Sequence, residues 1–375
     1  MLTSLALALA LNGSVAAPPC IGNDSRVAVP SAPHGMFVWN PYVVDGGKYE
    51  KQFESSVIGK DPTLCGVSLV VRWSDIEPKK GTFDWSTIET QAAPYARAGL
   101  TVNLLFADGP ERGPKNPVTP SWVTGADRVP VVTCNGQPPA PDYLSPTFEK
   151  DWASLIAAAV KRYSYHNSAL ARRIGYMRFA IGFGVEAVPA HFDNAGHKDC
   201  LAKWEAAPVR FTYKKWVQHA KNVVNAMGRQ TTDKQLLVAL NGLNGGPSIY
   251  DYPNQVAADA AGKHIGFGTE NLGIANVATA TSKPAKCNPR ARITNLYWCQ
   301  ALTRHVGRVP YEFQTIVAST APQPGVSSIV LGKALQYGIA NHAQIFELYP
   351  QEWLARDAAH RSALRAASLV LGAHR

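Results

Sequence analysis

Val70-Val71-Arg72-Trp73-Ser74-Asp75-Ile76-Glu77-Pro78-Lys79-Lys80-Gly81-Thr82-Phe83-Asp84-Trp85 is the stretch on which the fold turns. An apolar run with β-branched residues, Gly66 to Val71, leads into it and reads as a strand. Ile76-Glu77-Pro78 then interrupts the run, because proline has no N–H to offer a sheet. Lys79-Lys80-Gly81 is a turn, and Phe83-Asp84-Trp85 opens a helix-like segment. Strand, loop and helix together make one βα unit. Working outward, the same unit recurs. The expected strands are Gly35–Asn40, Gly66–Trp73, Thr101–Ala107, Tyr176–Phe183, Gln235–Asn241, Ile265–Thr269, Pro310–Thr315 and Ala343–Leu348. Between them lie helix-like stretches at Trp85–Ala98, Pro146–Tyr163, Thr212–Met227 and Ser328–Tyr337. Trp152, Leu155, Ile156, Ala159 and Val160 are spaced for a helix packed on a sheet. Strand–helix alternation implies a parallel sheet, and eight repeats imply a closed (β/α)8 barrel in the α/β class. Gln351–Arg375 reads as the closing helix. The long segments Asp108–Pro146 and Gly273–Asn295 are of the kind that builds a cleft over the barrel mouth.

The Arg72-Trp73, Ile76-Glu77-Pro78, Gly81 and Phe83-Asp84-Trp85 pattern resembles the second-strand signature of secreted (β/α)8 glycoside hydrolases of the large retaining clan, especially the β-galactosidase-like branch. The resemblance implies a carbohydrate substrate, no cofactor and two catalytic carboxyl groups. It also implies where they stand: the acid/base glutamate after strand four, the nucleophile at the end of strand seven. Glu186, after Arg178-Phe179-Ala180-Ile181-Gly182-Phe183-Gly184-Val185, takes the acid/base role on this reading. Val185 stands where the family has asparagine. Strand seven, Pro310-Tyr311-Glu312-Phe313-Gln314-Thr315, puts Glu312 and Gln314 on one face, and the family's glutamate falls near Gln314 or Thr315. Arg72 matches the clan's arginine that holds the nucleophile.

Chemistry alone points the same way. Glycosidic hydrolysis needs two carboxyls across the anomeric carbon, one to protonate the leaving oxygen and one to attack or to activate water. The carboxyl ends of barrel strands are where such groups belong. Besides Glu186 and Glu312, Glu270 ends strand six and Glu347 ends strand eight, so each is a candidate partner. Candidate substrate contacts are Trp39 and Asn40 after strand one, Asp108 after strand three, Asn241 after strand five, Gln314 and Trp353. Glu77 reads as a loop anchor.

With 375 residues, 46% of them hydrophobic and 17% charged, the chain can bury a large core and fits a folded protein. Leu2–Leu11 followed by Ser14-Val15-Ala16-Ala17 reads as a signal peptide over residues 1–17, ahead of a single barrel domain at 18–375. It falls short of the ~20 residues that span a bilayer, so no membrane span is expected. Six cysteines in an exported chain imply disulfides. A Cys287–Cys299 bridge is the local choice, and Cys20–Cys65 would staple the N-terminal segment to strand two. The net charge of +10 is scattered rather than clustered, which argues against nucleic acid and suits an anionic cell-envelope or matrix glycan. No His-Glu-x-x-His, Gly-x-Ser-x-Gly or phosphate-cradling glycine loop is present, and no metal site is expected. The rival reading keeps the barrel and drops the chemistry: a glycan-binding barrel derived from a glycosidase.

Overall fold

The computed structural model describes residues 20, 33–42, 47–109, 117–165, 167–185, 187–190, 192, 199–240, 252–269, 304–305, 307–315, 330–355 and 357–373. Ten strands are present among them: β1 (Gly35–Trp39), β2 (Leu64–Arg72), β3 (Thr101–Ala107), β4 (Val131–Val132), β5 (Ala140–Pro141), β6 (Ile174–Phe179), β7 (Gln235–Ala239), β8 (Gly266–Thr269), β9 (Tyr311–Gln314) and β10 (Ile345–Leu348). Strands β4 and β5 form a small antiparallel pair. The other eight close into a parallel barrel, so β6, β7, β8, β9 and β10 are its fourth to eighth staves. Closure is made by Gly35↔Ile345 and Phe37↔Glu347 between the first and last staves.

Alternation along each strand divides two environments. On β2, Val67, Leu69 and Val71 face outward into the layer shared with the helices, while Val70 joins the lumen with Phe37, Leu105, Tyr176, Leu237 and Ile345. Helix Pro146–Tyr163 shows why the outer layer closes. Proline sits in its first turn, where no N–H is needed, and Lys161 and Arg162 complement the dipole of its last turn. Its buried Phe148, Trp152, Leu155, Ile156, Ala159 and Val160 form one apolar stripe. Helices Ser86–Arg97, Tyr213–Gly228 and Leu331–Ala340 pack in the same way.

The fourth barrel strand and the C-terminal segment depart most from expectation. The fourth barrel strand stops at Phe179 rather than Phe183. Gly182 takes φ +154, and a Cβ there would lie 2.5 Å from the Val188 carbonyl oxygen and 2.8 Å from the Trp216 ring. The chain therefore turns tightly under that indole, with Phe183 N–H donating to Val188. The C-terminal segment is two helices, Gln351–Leu354 and Ala358–Ala373, with Ala355 extended between them. Cys20–Cys65 is bridged, and a second bridge joins Cys134 to Cys200. Cys287 and Cys299, and the expected signal peptide at 1–17, lie outside the described residues.

Candidate active site

Inward-facing positions on five staves carry polar side chains that meet in the lumen. On β6, Arg178 Nη1 contacts Glu312 Oε2 at 2.5 Å, and its Nη2 donates to Gln314 Oε1 at 3.2 Å. The same Nη1 stands 3.4 Å from Glu347 Oε2 on β10. Tyr176 donates its hydroxyl to the other oxygen of Glu347, Oε1. Ser68 Oγ is 3.2 Å from that hydroxyl, and Asn103 Nδ2 donates to Ser68 at 3.3 Å. Glu312 and Glu347 are 0% exposed and Arg178 is 1% exposed, so these charges compensate one another instead of being solvated. Burial holds the Tyr176 phenol well above its ordinary value, and the two glutamates push the same way.

Register explains the arrangement. Glu312 pairs with Ile345 and Gln314 with Glu347, so Glu312, Gln314 and Glu347 arrive on one interior wall. Arg178 reaches that wall from β6, two staves away from β8. It passes over Gly268, where a Cβ would fall 2.1 Å from Glu312 Oε2 and 3.1 Å from Arg178 Nη1. Among the described residues an arginine from the fourth stave, Arg178, stands against Glu312, a contact that the strand pattern alone does not predict. Its signal was a cation inside the otherwise apolar Ile174–Phe179 strand, since a buried guanidinium requires carboxylate partners. Arg72, expected to hold the nucleophile, ends β2 with Nε 3.7 Å from Asp75 Oδ2 in its own loop.

Other candidates lie at or just past the carboxyl ends of the first and third staves. Trp39 ends β1, and its ring lies 5.5 Å from that of Tyr349, just past β10. Trp39 Nε1 and the buried Asn40 Oδ1 have no hydrogen-bond partner among the described residues, although Asn40 Nδ2 donates to the Val70 carbonyl at 3.4 Å. Asp108 follows β3 and is wholly buried. Burial drives its carboxyl well above the usual range, offset only in part by the backbone N–H groups of Asp108, Gly182 and Gly109. The buried Tyr143 hydroxyl is raised by its own burial and by Asp108.

Trp353 is not brought to the mouth. It packs among the outward-facing core residues, donates Nε1 to Thr63 at 3.2 Å and meets Phe53 edge-on, because helix Gln351–Leu354 turns it away from the lumen. Glu77 behaves as a loop anchor: it accepts from Trp73 Nε1 and from Gly81 N–H, both at 2.7 Å. Glu186, Glu270 and Asn241 lie outside the described residues. Among the described residues no group of three or more His, Cys, Asp or Glu side chains is arranged to hold a metal ion, and no helix is long and apolar enough to cross a membrane.

No protein-family model matches the sequence, and no curated protein does. Solved structures do match in fold. The chain is similar to the catalytic domain of β-amylase from Paenibacillus polymyxa, at 12% identity and a TM-score of 0.58, over 89% of this chain and 97% of that one. It is also similar to a β-galactosidase from Rahnella sp. R3, at 12% identity and TM-score 0.54, over 93% of this chain and 57% of that one. A β-galactosidase from the Antarctic haloarchaeon Halorubrum lacusprofundi matches at 12% identity and TM-score 0.51, over 89% and 57%. The chain thus spans nearly all of the first and little more than half of the other two. All three likenesses concern the barrel itself.

Proposed function

We propose that this chain is a secreted glycoside hydrolase that cleaves O-glycosidic bonds of an oligo- or polysaccharide with a pair of carboxyl groups. The observation that carries the proposal is the lumen, where Arg178 holds Glu312 on the seventh barrel stave beside Glu347 on the eighth. A guanidinium in contact favours the ionised form of a carboxylate. That suits Glu312 to the nucleophile or base role and unsuits it to donate a proton. Glu186, which follows the fourth stave in sequence, is the complementary acid/base, and with Glu312 as the nucleophile the course is retaining. Glu270 remains a candidate second carboxyl from its place after the sixth stave. Trp39 Nε1 and Asn40 Oδ1, buried and unpartnered, offer polar contacts to sugar hydroxyls. Gln314, Asp108, Asn241 and Arg72 are further candidate contacts. Two disulfides fit an oxidising compartment, and the scattered positive charge suits an anionic glycan.

The test is turnover of a panel of polysaccharides and aryl glycosides, with Glu186→Gln and Glu312→Gln alongside. Each variant is expected to lose activity by about 10³-fold. Undiminished hydrolysis by Glu186→Gln would remove it from the acid/base role. One observation favours a second reading, a glycan-binding barrel without turnover: Glu312 and Glu347 are sealed at 0% exposure and both engage Arg178. On that reading calorimetry detects glycan binding by a wild-type protein that hydrolyses none of the panel.

A further inference from the structure

A barrel lumen of this kind is filled by layers of side chains in which branched aliphatic residues dominate. Here it holds Arg178, Glu312, Glu347, Tyr176, Ser68, Asn103 and Gln314. A sealed ion pair is no more stabilising than apolar side chains of similar volume, and is often less so. Such a network is therefore weak evidence of a gain in stability, and holding one carboxylate in one pose is the alternative use of it.

Resting on the hydrolase reading, we propose that Arg178 is the positioning residue of Glu312, and that Gly268, Glu347 and Tyr176 fix the pose in which it holds that carboxylate. The guanidinium fork donates to Glu312 Oε2 and Gln314 Oε1 and has Glu347 Oε2 as a further anionic neighbour at 3.4 Å. A planar fork sets direction as well as distance, which a lysine ammonium does not. Glu347 is itself held at Oε1 by the Tyr176 hydroxyl, while its Oε2 makes no hydrogen bond among the described residues and faces Arg178 Nη1 at 3.4 Å. It therefore acts as a wall against which the guanidinium rests. Gly268 supplies the remaining condition. The pair lies across the sixth stave, in space that any side chain at 268 would occupy.

The experiment compares wild type, Arg178→Lys and Gly268→Ala by kcat, KM and pH–rate profile on the best substrate of the panel. Gly268→Ala changes no charge and displaces the pair. Both variants are expected to keep KM within about 3-fold and to lose about 10²-fold in kcat. Arg178→Lys also moves the acid limb of the profile up by about one pH unit, since a looser cation favours the ionised carboxylate less. A third variant, Arg178→Met/Glu312→Leu/Glu347→Leu, covers failure to fold. It is expected to fold with a Tm at or above wild type and to be inactive. Wild-type protein inactive on every substrate overturns the hydrolase reading and this inference with it. Active wild type with kcat and pH limbs unchanged in Gly268→Ala overturns the positioning role alone. Unfolding of the apolar triple variant does so too, because the network would then be a structural requirement.

Discussion

Asp108 sits where its charged form is disfavoured, and the consequence for stability has a definite sign. Its folded value is raised above the ordinary 3.8, with burial as the cause. Below that ordinary value both folded and unfolded chains hold the proton, and the group's contribution to stability is complete. As pH rises the unfolded chain releases its proton first, and stability is lost through the raised folded value. Asp108→Asn abolishes that loss. Its Tm should exceed that of wild type by a margin that widens from about pH 4 to about pH 8, as read by calorimetry; parallel curves would show that Asp108 is not the responsible group. Other buried acids, such as Glu77 and Asp142, are common to both proteins and cancel in the difference. Single residues were the hardest part of the molecule to read from sequence. Period-two alternation put Glu312 and Gln314 on one face, and the structure has both inside. Alternation says nothing of what lies across the lumen, so it gives no sign that Arg178 meets Glu312 there. Trp353 follows the last stave closely, but a four-residue helix chose its direction.

The loop after β2 shows how one element is held. Glu77 is 2% exposed and ties the buried Trp73 indole to the Gly81 turn, while its own carbonyl accepts from Trp122 Nε1 at 2.8 Å. Lys80, from the same turn, pairs with Asp127 and with Asp151 and lies over the Trp122 ring. Burial raises the Glu77 carboxyl, and the two donated hydrogen bonds oppose that rise. Glu77→Ala leaves the Trp73 N–H stranded in the core and should cost about 2–4 kcal/mol. Chemical denaturation checks this, and a cost under about 1 kcal/mol would mean that the loop stands without its anchor. Elements were legible because their signals are local. Thr101–Ala107 and Pro146–Tyr163 were bounded by sequence at the residues where they begin and end. The fourth stave is shorter than its apolar run because Ile181 and Phe183 are apolar and buried without being strand. Close approach of backbone to Trp216 at Gly182, a tertiary fact, ended it.

At the scale of the whole molecule, the closed barrel leaves its mouth to be organised by loops, and covalent bonds help to organise them. Cys134–Cys200 ties the segment after the third stave to helix Cys200–Glu205 after the fourth. It closes a span of 66 residues. Restricting so long a loop in the unfolded chain is worth about 4 kcal/mol. Cys134→Ser/Cys200→Ser should be destabilised by that amount in urea or guanidinium titration, and an unchanged midpoint would make the bridge incidental. The barrel was readable from eight spaced apolar runs, but this bridge was not, since cysteine spacing carries no information on which loops meet.

The two described bridges have one more property in common. Cys20–Cys65 and Cys134–Cys200 each join cysteines that are consecutive in the chain, and the first pair is complete before the second begins. Were the chain exported N-terminus first, as proposed, each of these thiols would meet its native partner as the next one to arrive. Oxidation in order of emergence yields the native pairs directly. Thiol–disulfide exchange, the slow corrective step for interleaved bridges, has nothing to correct at these four positions. For them the order of emergence is the order of pairing.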